Sequence, residues 1–237
     1  MKPLGGKAYG SIPHLPGSRR GPGDHACHEG QSIICTERAR DRHDEIIVQE
    51  KVDGSCCAVA RVEGAIVALG RAGYLAQTSP YEQHQRFADW VRRHVDQFAA
   101  LPDGWRVVGE WMLQAHGTRY RLPHEPFVVF DLIAPSPDRK TGLNRQPYDD
   151  CRIFACAAGL PTPRLISRNG PLSIEAALAQ LEPSGHGALD PVEGAVWRVQ
   201  RKGAVDFLAK YVRHDKLDGC YLPEVSGLAP VWNEINI

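Results

Sequence analysis

Hydrophobic positions along the chain fall into short blocks whose period changes several times. Ile46-Ile47-Val48 gives way to Cys56-Cys57-Ala58-Val59-Ala60 across Glu50-Lys51-Val52-Asp53-Gly54-Ser55. That pattern predicts a strand, a tight turn at Asp53-Gly54 and a returning strand. Val59 to Val62 and Ala65 to Leu69 flank Glu63-Gly64, a hairpin signal, and the second block ends at Gly70-Arg71. Over residues 79–98 the period becomes three and four, with Phe87, Trp90, Val91, His94, Val95 and Phe98 on one stripe. This predicts an amphipathic helix begun at Ser79-Pro80. Trp105 to Met112 and Phe127 to Ile133 read as strands, the second carrying an acid, Asp131, inside an apolar run. A helix is expected over 149–158, stopped by Gly159 and Pro161, and another over 173–181, begun by Ser173. Two further strands, Gly194 to Val199 and Val205 to Val212, complete the pattern. Residues 1–45, rich in Gly, Pro, His and Arg, show no period at Ser11 to Arg19 and read as an arm docked by Ile12 and Leu15. The expected organisation is an arm at 1–45 packed on one domain at 46–237. That domain is α+β, with a predominantly antiparallel sheet core and flanking helices.

Composition changes this picture little. Formal net charge is zero, so the chain is not a polycation. A neutral protein can still contact nucleic acid through one basic face. The candidates for such a face are Arg19, Arg20, Arg198, Arg201 and Lys202. No apolar run approaches the roughly 18 residues of a membrane span, and Met1 to Gly6 lacks the core of a signal peptide. Seven scattered cysteines without an export signal favour reduced thiols in the cytoplasm. Cys27-His28 with Cys35 has no second Cys-x-x-Cys half, so zinc is not expected.

The candidate chemistry lies in charges set within or at the ends of apolar strands: Glu110, Asp131, Glu193 and Lys210, together with Lys51 and Arg71. A buried charge is costly unless it is paired or used. Structural ion pairs account for such groups singly. As a set they suit another purpose: carboxylates can hold magnesium, and cations can hold phosphate oxygens. A lysine held among strands is a candidate nucleophile. Lysine, acids and cations together suit phosphoryl or nucleotidyl transfer.

The ordered set Lys51-Val-Asp53-Gly54, Arg71, Glu110, Phe130-Asp131, Glu193-Gly194-Ala-Val-Trp-Arg198 and Lys210 resembles the covalent nucleotidyltransferases, and most closely their RNA ligase branch. The resemblance spans residues 46–216. It implies an ATP-grasp-like ligase adenylation domain in which Lys51 attacks the nucleotide α-phosphate to give lysyl-AMP. It places Glu50, Lys51, Asp53 and Gly54 at the nucleotide. Arg71 would lie near the ribose or a 5′-phosphate end, Glu110 on the ribose and Phe130 near the adenine. Glu193, with Asp131, would hold Mg2+ or Mn2+, and Lys210 the α-phosphate. The implied partners are ATP and RNA or nicked-duplex ends, with a helper subunit or end-healing enzyme as a further expectation and no membrane. The lead-in Ile12 to Ser18 also looks like one found in some RNA ligase-like proteins.

Two departures bear on activity. The last motif usually reads Lys-x-Lys, whereas here it is Lys210-Tyr211-Val212, leaving Arg213 or Lys216 as the alternative cation. Residues 211–237 leave no room for an OB-fold domain. The expected function is ATP-dependent joining of 5′-phosphate and 3′-hydroxyl ends. A DNA nick ligase, a capping-type guanylyltransferase and a non-sealing nucleotide- or RNA-binding module are the alternatives.

Overall fold

The computed structural model describes residues 1–136 and 142–236. In chain order it runs α1 (Glu29–Thr36), β1 (Asp44–Lys51), β2 (Ser55–Val62), β3 (Ala65–Gly70), α2 (Glu82–Arg93), β4 (Arg106–Trp111), β5 (Arg121–Leu122) and β6 (Phe127–Ala134). There follow β7 (Asn144–Arg145), α3 (Tyr148–Ala157), β8 (Leu165–Ser167), α4 (Ile174–Leu178), β9 (Gly194–Arg201), β10 (Ala204–Val212), α5 (Pro223–Ser226) and β11 (Glu234–Ile235). The fold is α+β with antiparallel main sheets, as the sequence pattern predicts. Among the described residues no helix is long and apolar enough to cross a membrane.

The chain divides into two compact units. The first comprises Met1–Gly10, Gly54–Gln114 and Glu125–Thr162. Its five-stranded sheet has the order β3-β2-β4-β6-β7. The Glu63-Gly64 hairpin is present, with both residues at positive φ, as a two-residue turn between right-twisted strands demands. The amphipathic stripe of α2 places Phe87, Trp90 and Val91 on the core side, where Phe87 meets Trp111 and Phe127 at ring separations of 5.2 and 5.1 Å. The helix ends at Arg93 rather than continuing to 98. The backbone N–H of His94 is shared between Trp90 and Val91 carbonyls, and a 3-10 turn takes over at Val95–Phe98. The β4–β6 register shifts at a bulge between Val108 and Gly109: Val108 lies opposite Asp131 and Gly109 opposite Val129. A side chain at Gly109 would collide with the Val128 carbonyl, so glycine permits this close pairing.

The second unit comprises Ser11–Asp53, Ala115–His124 and Pro163–Ile237. It holds a four-stranded sheet, β10-β9-β1-β8, and the parallel pair β5-β11. Trp197, fully buried, centres its core, among Ile46, Val48, Leu181 and Val199, and its indole N–H donates to the Leu172 carbonyl at 3.0 Å. Leu15 joins this core. The arm also carries α1, which the sequence reading missed. It is eight residues long, and its start is fixed by a reciprocal cap between His28 and Gln31. Histidine is not a usual capping signal, which is why composition alone read this stretch as irregular. The helix begun by Ser173 is real but short, with the Ser173 hydroxyl accepting from Ala176 N–H.

One local prediction needs correction. β1 and β2 are not the two arms of a hairpin. β1 pairs with β8 and β9, whereas β2 pairs with β3 and β4. Both strands are buried through their middles, at residues 46–50 and 57–60, so their backbone groups need ladder partners on both edges, and a hairpin would supply only one.

Candidate active site

In the second unit, pairing sets the site. Lys51, the last residue of β1, lies opposite Gly194, the first residue of β9, and Gly194 lies opposite Val212 of β10. Glu193 precedes β9, and its carbonyl accepts from Arg213 N–H at 3.0 Å, extending the ladder. The register therefore brings Lys51 and Glu193 side by side, and the Lys51 amine donates to Glu193 Oε2 at 2.5 Å. A side chain at Gly194 would lie 1.9 Å from the Tyr211 carbonyl, so only glycine lets β9 and β10 close up beside Glu193. Burial raises the Glu193 pKa; Lys51 acts against that rise.

Asp53 is 6% exposed. Its N–H donates to the Tyr120 hydroxyl at 3.2 Å, and its Oδ2 accepts from Gly117 N–H at 2.8 Å. Lys216 Nζ stands 3.1 Å from the same oxygen and also donates to the Thr118 hydroxyl. Burial pushes the Asp53 pKa up, but Lys216 and then Lys51 outweigh it and hold the carboxyl below its ordinary value. Each lysine is thus paired with one carboxylate, and the Lys51 charge also acts on Asp53. Sequence reasoning left Arg213 and Lys216 as equal candidates for an extra cation. Here the Arg213 guanidinium pairs with its neighbour Asp215 at 2.7 Å, whereas Lys216 is buried against Asp53. Tyr120, Thr118 and Gly117 carry no motif signal, and only the fold draws them in. Gly117 fits because a Cβ there would strike Lys216 and the Leu217 carbonyl.

Glu50 points elsewhere. Its carboxylate accepts from the Ser184 hydroxyl at 2.6 Å and Gly185 N–H at 2.9 Å, and pairs with Arg164 at 3.2 Å. Lys210, on β10, stands 3.9 Å from Asp24. The basic-face candidates separate. Arg20 and Lys202 are exposed, and Lys202 sits at positive φ in the β9–β10 turn. Arg19 donates to the Lys216 carbonyl. Arg201 is engaged by Asp41 and Asp44. Arg198 was expected on an open face but is instead 2% exposed, on the central strand β9.

In the first unit, Gly54 lies against the Trp111 carbonyl, where a Cβ would approach to 2.6 Å. Glu110, half-buried on β4, pairs in register with Cys56 and Val128. Arg71 donates to the Gly10 carbonyl at 3.3 Å, and its own carbonyl accepts from Ala8 and Tyr9. Phe130, at the bulge, meets the Tyr9 ring edge-on at 5.3 Å. Asp131 is fully buried. The Tyr9 hydroxyl donates to it at 2.7 Å and Arg145 at 3.1 Å, so its charge is matched within this unit. Among the described residues no three His, Cys, Asp or Glu side chains converge as a metal cage.

The RNA ligase family model matches residues 44–212. The chain belongs to the RNA ligase family. The match covers the stretch from the start of β1 to the end of β10, so this RNA ligase-type nucleotidyltransferase domain contains Lys51, Asp53, Glu193 and Lys210. One solved structure agrees on the fold. A point mutant of the Naegleria gruberi RNA ligase in its apo form aligns with TM-score 0.50 at 15% identity, over 94% of this chain and 60% of that one. An archaeal ATP-dependent RNA ligase aligns with TM-score 0.44 at 22% identity, over 71% of this chain and 42% of that one. Another Naegleria gruberi RNA ligase mutant, with ATP and Mn, aligns with TM-score 0.48 at 15% identity, over 73% and 51%. The chain spans about half the length of the solved structures it matches. No curated protein matches the sequence.

Proposed function

We propose that this chain is the nucleotidyltransferase domain of an ATP-dependent RNA ligase and that Lys51 is its nucleophile. The observation that carries the reading is the Lys51–Glu193 contact at 2.5 Å, set at a strand end beside the buried Asp53–Lys216 pair. A lysine held against a fixed carboxylate at a strand end has little rotamer freedom, which is how an attacking amine is pre-positioned. In the first step the Lys51 nitrogen bonds to the α-phosphorus of ATP, and the bond from that phosphorus to the bridging oxygen breaks. Pyrophosphate leaves, and the amine gives up its proton. Lys210 would meet the α-phosphate, Glu110 and Arg71 the ribose side, and Phe130 the adenine. Gly54 would let the backbone pass close to the nucleotide.

The donor set suits a hard divalent cation, Mg2+ or Mn2+. Such an ion keeps several waters and takes one or two carboxylates together with substrate phosphates rather than a protein cage. Glu193 would hold it; Asp131, the other carboxylate expected there, is fully buried and already matched by Tyr9 and Arg145, so it does not fit that role. Bound there, the ion would neutralise charge on the departing pyrophosphate. AMP then passes to an RNA 5′-phosphate, and a 3′-hydroxyl displaces it to close the strand. Residues 46–237 would form the catalytic body, with 1–45 as its arm. Arg19, Arg20 and Lys202 are the cations available to RNA phosphates. Arg201 would have to leave its aspartates first, and Arg198 would support the sheet beneath. The cysteines are reduced thiols, which suits a reducing cytoplasm.

The test is direct. Incubated with α-labelled ATP and magnesium or manganese, the protein should carry gel-resolved label, and Lys51→Ala should carry none while remaining folded by circular dichroism. Label on Lys51→Ala at the wild-type level would exclude Lys51 as the nucleophile.

A further inference from the structure

The arm residues preceding α1 do more than cover the sheet. The backbone at Pro13–Leu15 adds to the edge of β10 around one residue, Lys210. Lys210 N–H donates to the Pro13 carbonyl at 2.9 Å, and the Lys210 carbonyl accepts from Leu15 N–H at 2.8 Å. A second strip of arm runs parallel to the first: His14 N–H donates to the His25 carbonyl, and Cys27 N–H to the His14 carbonyl, both at 2.8 Å. Further along, Arg19 N–H donates to the Val212 carbonyl at 3.0 Å, and the Ser18 hydroxyl accepts from Val212 N–H at 2.9 Å. The arm is thus paired to β10 on both sides of the position from which Lys210 projects.

The side chains on this loop form a chain of their own. Ser18 Oγ lies 2.7 Å from His14 Nδ1, His14 Nε2 lies 3.2 Å from Asp24 Oδ2, and Asp24 Oδ1 lies 3.9 Å from Lys210 Nζ. Asp24 is further fixed by Gly21 N–H, which donates to Oδ2 at 2.9 Å. His14 is 1% exposed, and burial, then Lys210, lowers its pKa to about 4, so the ring is neutral at pH 7. Nε2 faces the Asp24 carboxylate, which puts the ring proton on that nitrogen, and Nδ1 accepts a hydrogen bond from the Ser18 hydroxyl. The histidine acts as a rigid spacer that aims a carboxylate at Lys210. A lysine side chain has high rotamer freedom, and its ammonium is a mobile point charge unless something fixes it.

We infer that Asp24, braced by His14 and Ser18, is a positioning residue that fixes the Lys210 ammonium for a nucleotide phosphate. The inference rests on the reading of Lys210 as a phosphate contact, and it makes the arm part of the active site. In the absence of nucleotide, Asp24 occupies Lys210 as a stand-in anion. With nucleotide bound, it keeps the ammonium on the correct side of β10 while the phosphate takes the stronger contact.

The experiment is a double-mutant cycle on the rate of lysyl-AMP formation with labelled ATP, using the full chain. Asp24→Asn keeps the shape and the Gly21 contact but removes the charge; it should lower kcat/KM for ATP about tenfold, the scale of a misplaced charge contact. Asp24→Glu should recover most of that loss. In the Lys210→Ala background the same Asp24→Asn change should cost nothing further, because the group it acts through is gone. A purely structural role would instead cost as much in that background as in the wild type. Additive losses, or an unaltered Asp24→Asn rate, would overturn the inference while leaving Lys51 labelling, and with it the ligase reading, intact. No label on the wild-type protein would remove that reading and this inference with it.

Discussion

Replacing Lys216 with methionine tests the charge array that organises the site. The Lys216 and Asp53 side chains are 6% and 7% exposed and 3.1 Å apart. Removing one partner of such a pair costs about 3–5 kcal/mol, because the other charge stays buried without its counter-ion. Asp53 would keep Gly117 N–H as a donor and Lys51 as a nearby cation, which places the expected loss at about 3 kcal/mol, the lower end of that range. The pH dependence has a definite sign. The folded carboxyl of Asp53 lies below its ordinary 3.8, so its contribution is full above that value and is lost as pH falls through the folded pKa. Without Lys216, burial dominates and raises the folded pKa. The penalty is then largest near neutral pH and shrinks as acid protonates Asp53. Urea denaturation of wild type and Lys216→Met at about pH 4.5, 6 and 7.5 measures this as a difference that widens with pH. Asp53→Asn combined with Lys216→Met should recover much of the loss, since neither charge then stays buried alone. A difference below about 1 kcal/mol at neutral pH, or a double variant no more stable than Lys216→Met, would refute the reasoning.

Three further outcomes are expected. Gly194→Ala should separate β9 from β10, because its Cβ would lie 1.9 Å from the Tyr211 carbonyl. It should cost about 1–3 kcal/mol and most of the adduct, as read by melting and by ATP labelling. Glu193→Gln keeps the shape beside Lys51 but removes the carboxylate charge; adduct formation should fall steeply at every Mg2+ or Mn2+ concentration, and an unchanged yield would reduce Glu193 to an ion-pair partner. Matched nicked duplexes with pre-adenylylated 5′ ends should be sealed better when the 3′-hydroxyl strand ends in ribose, whose 2′-hydroxyl is open to contact. Equal sealing of an all-DNA nick would remove the RNA preference but leave the nucleotidyltransferase reading standing.

Much of the sheet was legible because strands announce themselves locally. The Glu63-Gly64 hairpin and the stripe of α2 follow from period and turn chemistry over a few residues, and the structure keeps both. Lys51, Glu193 and Lys210 were legible for a different reason: charges in apolar runs stand out from the pattern around them. The α1 helix was not legible, because its cap uses His28 and Gln31 in a stretch dominated by Gly, Pro and basic residues.

The sequence by itself marked the charges that interrupt its apolar pattern: a lysine at a strand end, an acid before Gly194 and a cation inside β10. It could not determine which charges meet, since Asp53 and Lys216 are brought together by long-range packing, and the two candidate cations Arg213 and Lys216 look alike in a list of residues. It also read Lys51 as one side of a hairpin, whereas β1 takes its partners from 165–167 and 194–201. Local pattern fixes the period of a segment and the face each residue takes. Partner choice is decided by which distant edges satisfy the backbone hydrogen bonds and bury the apolar faces, and that is a property of the whole chain.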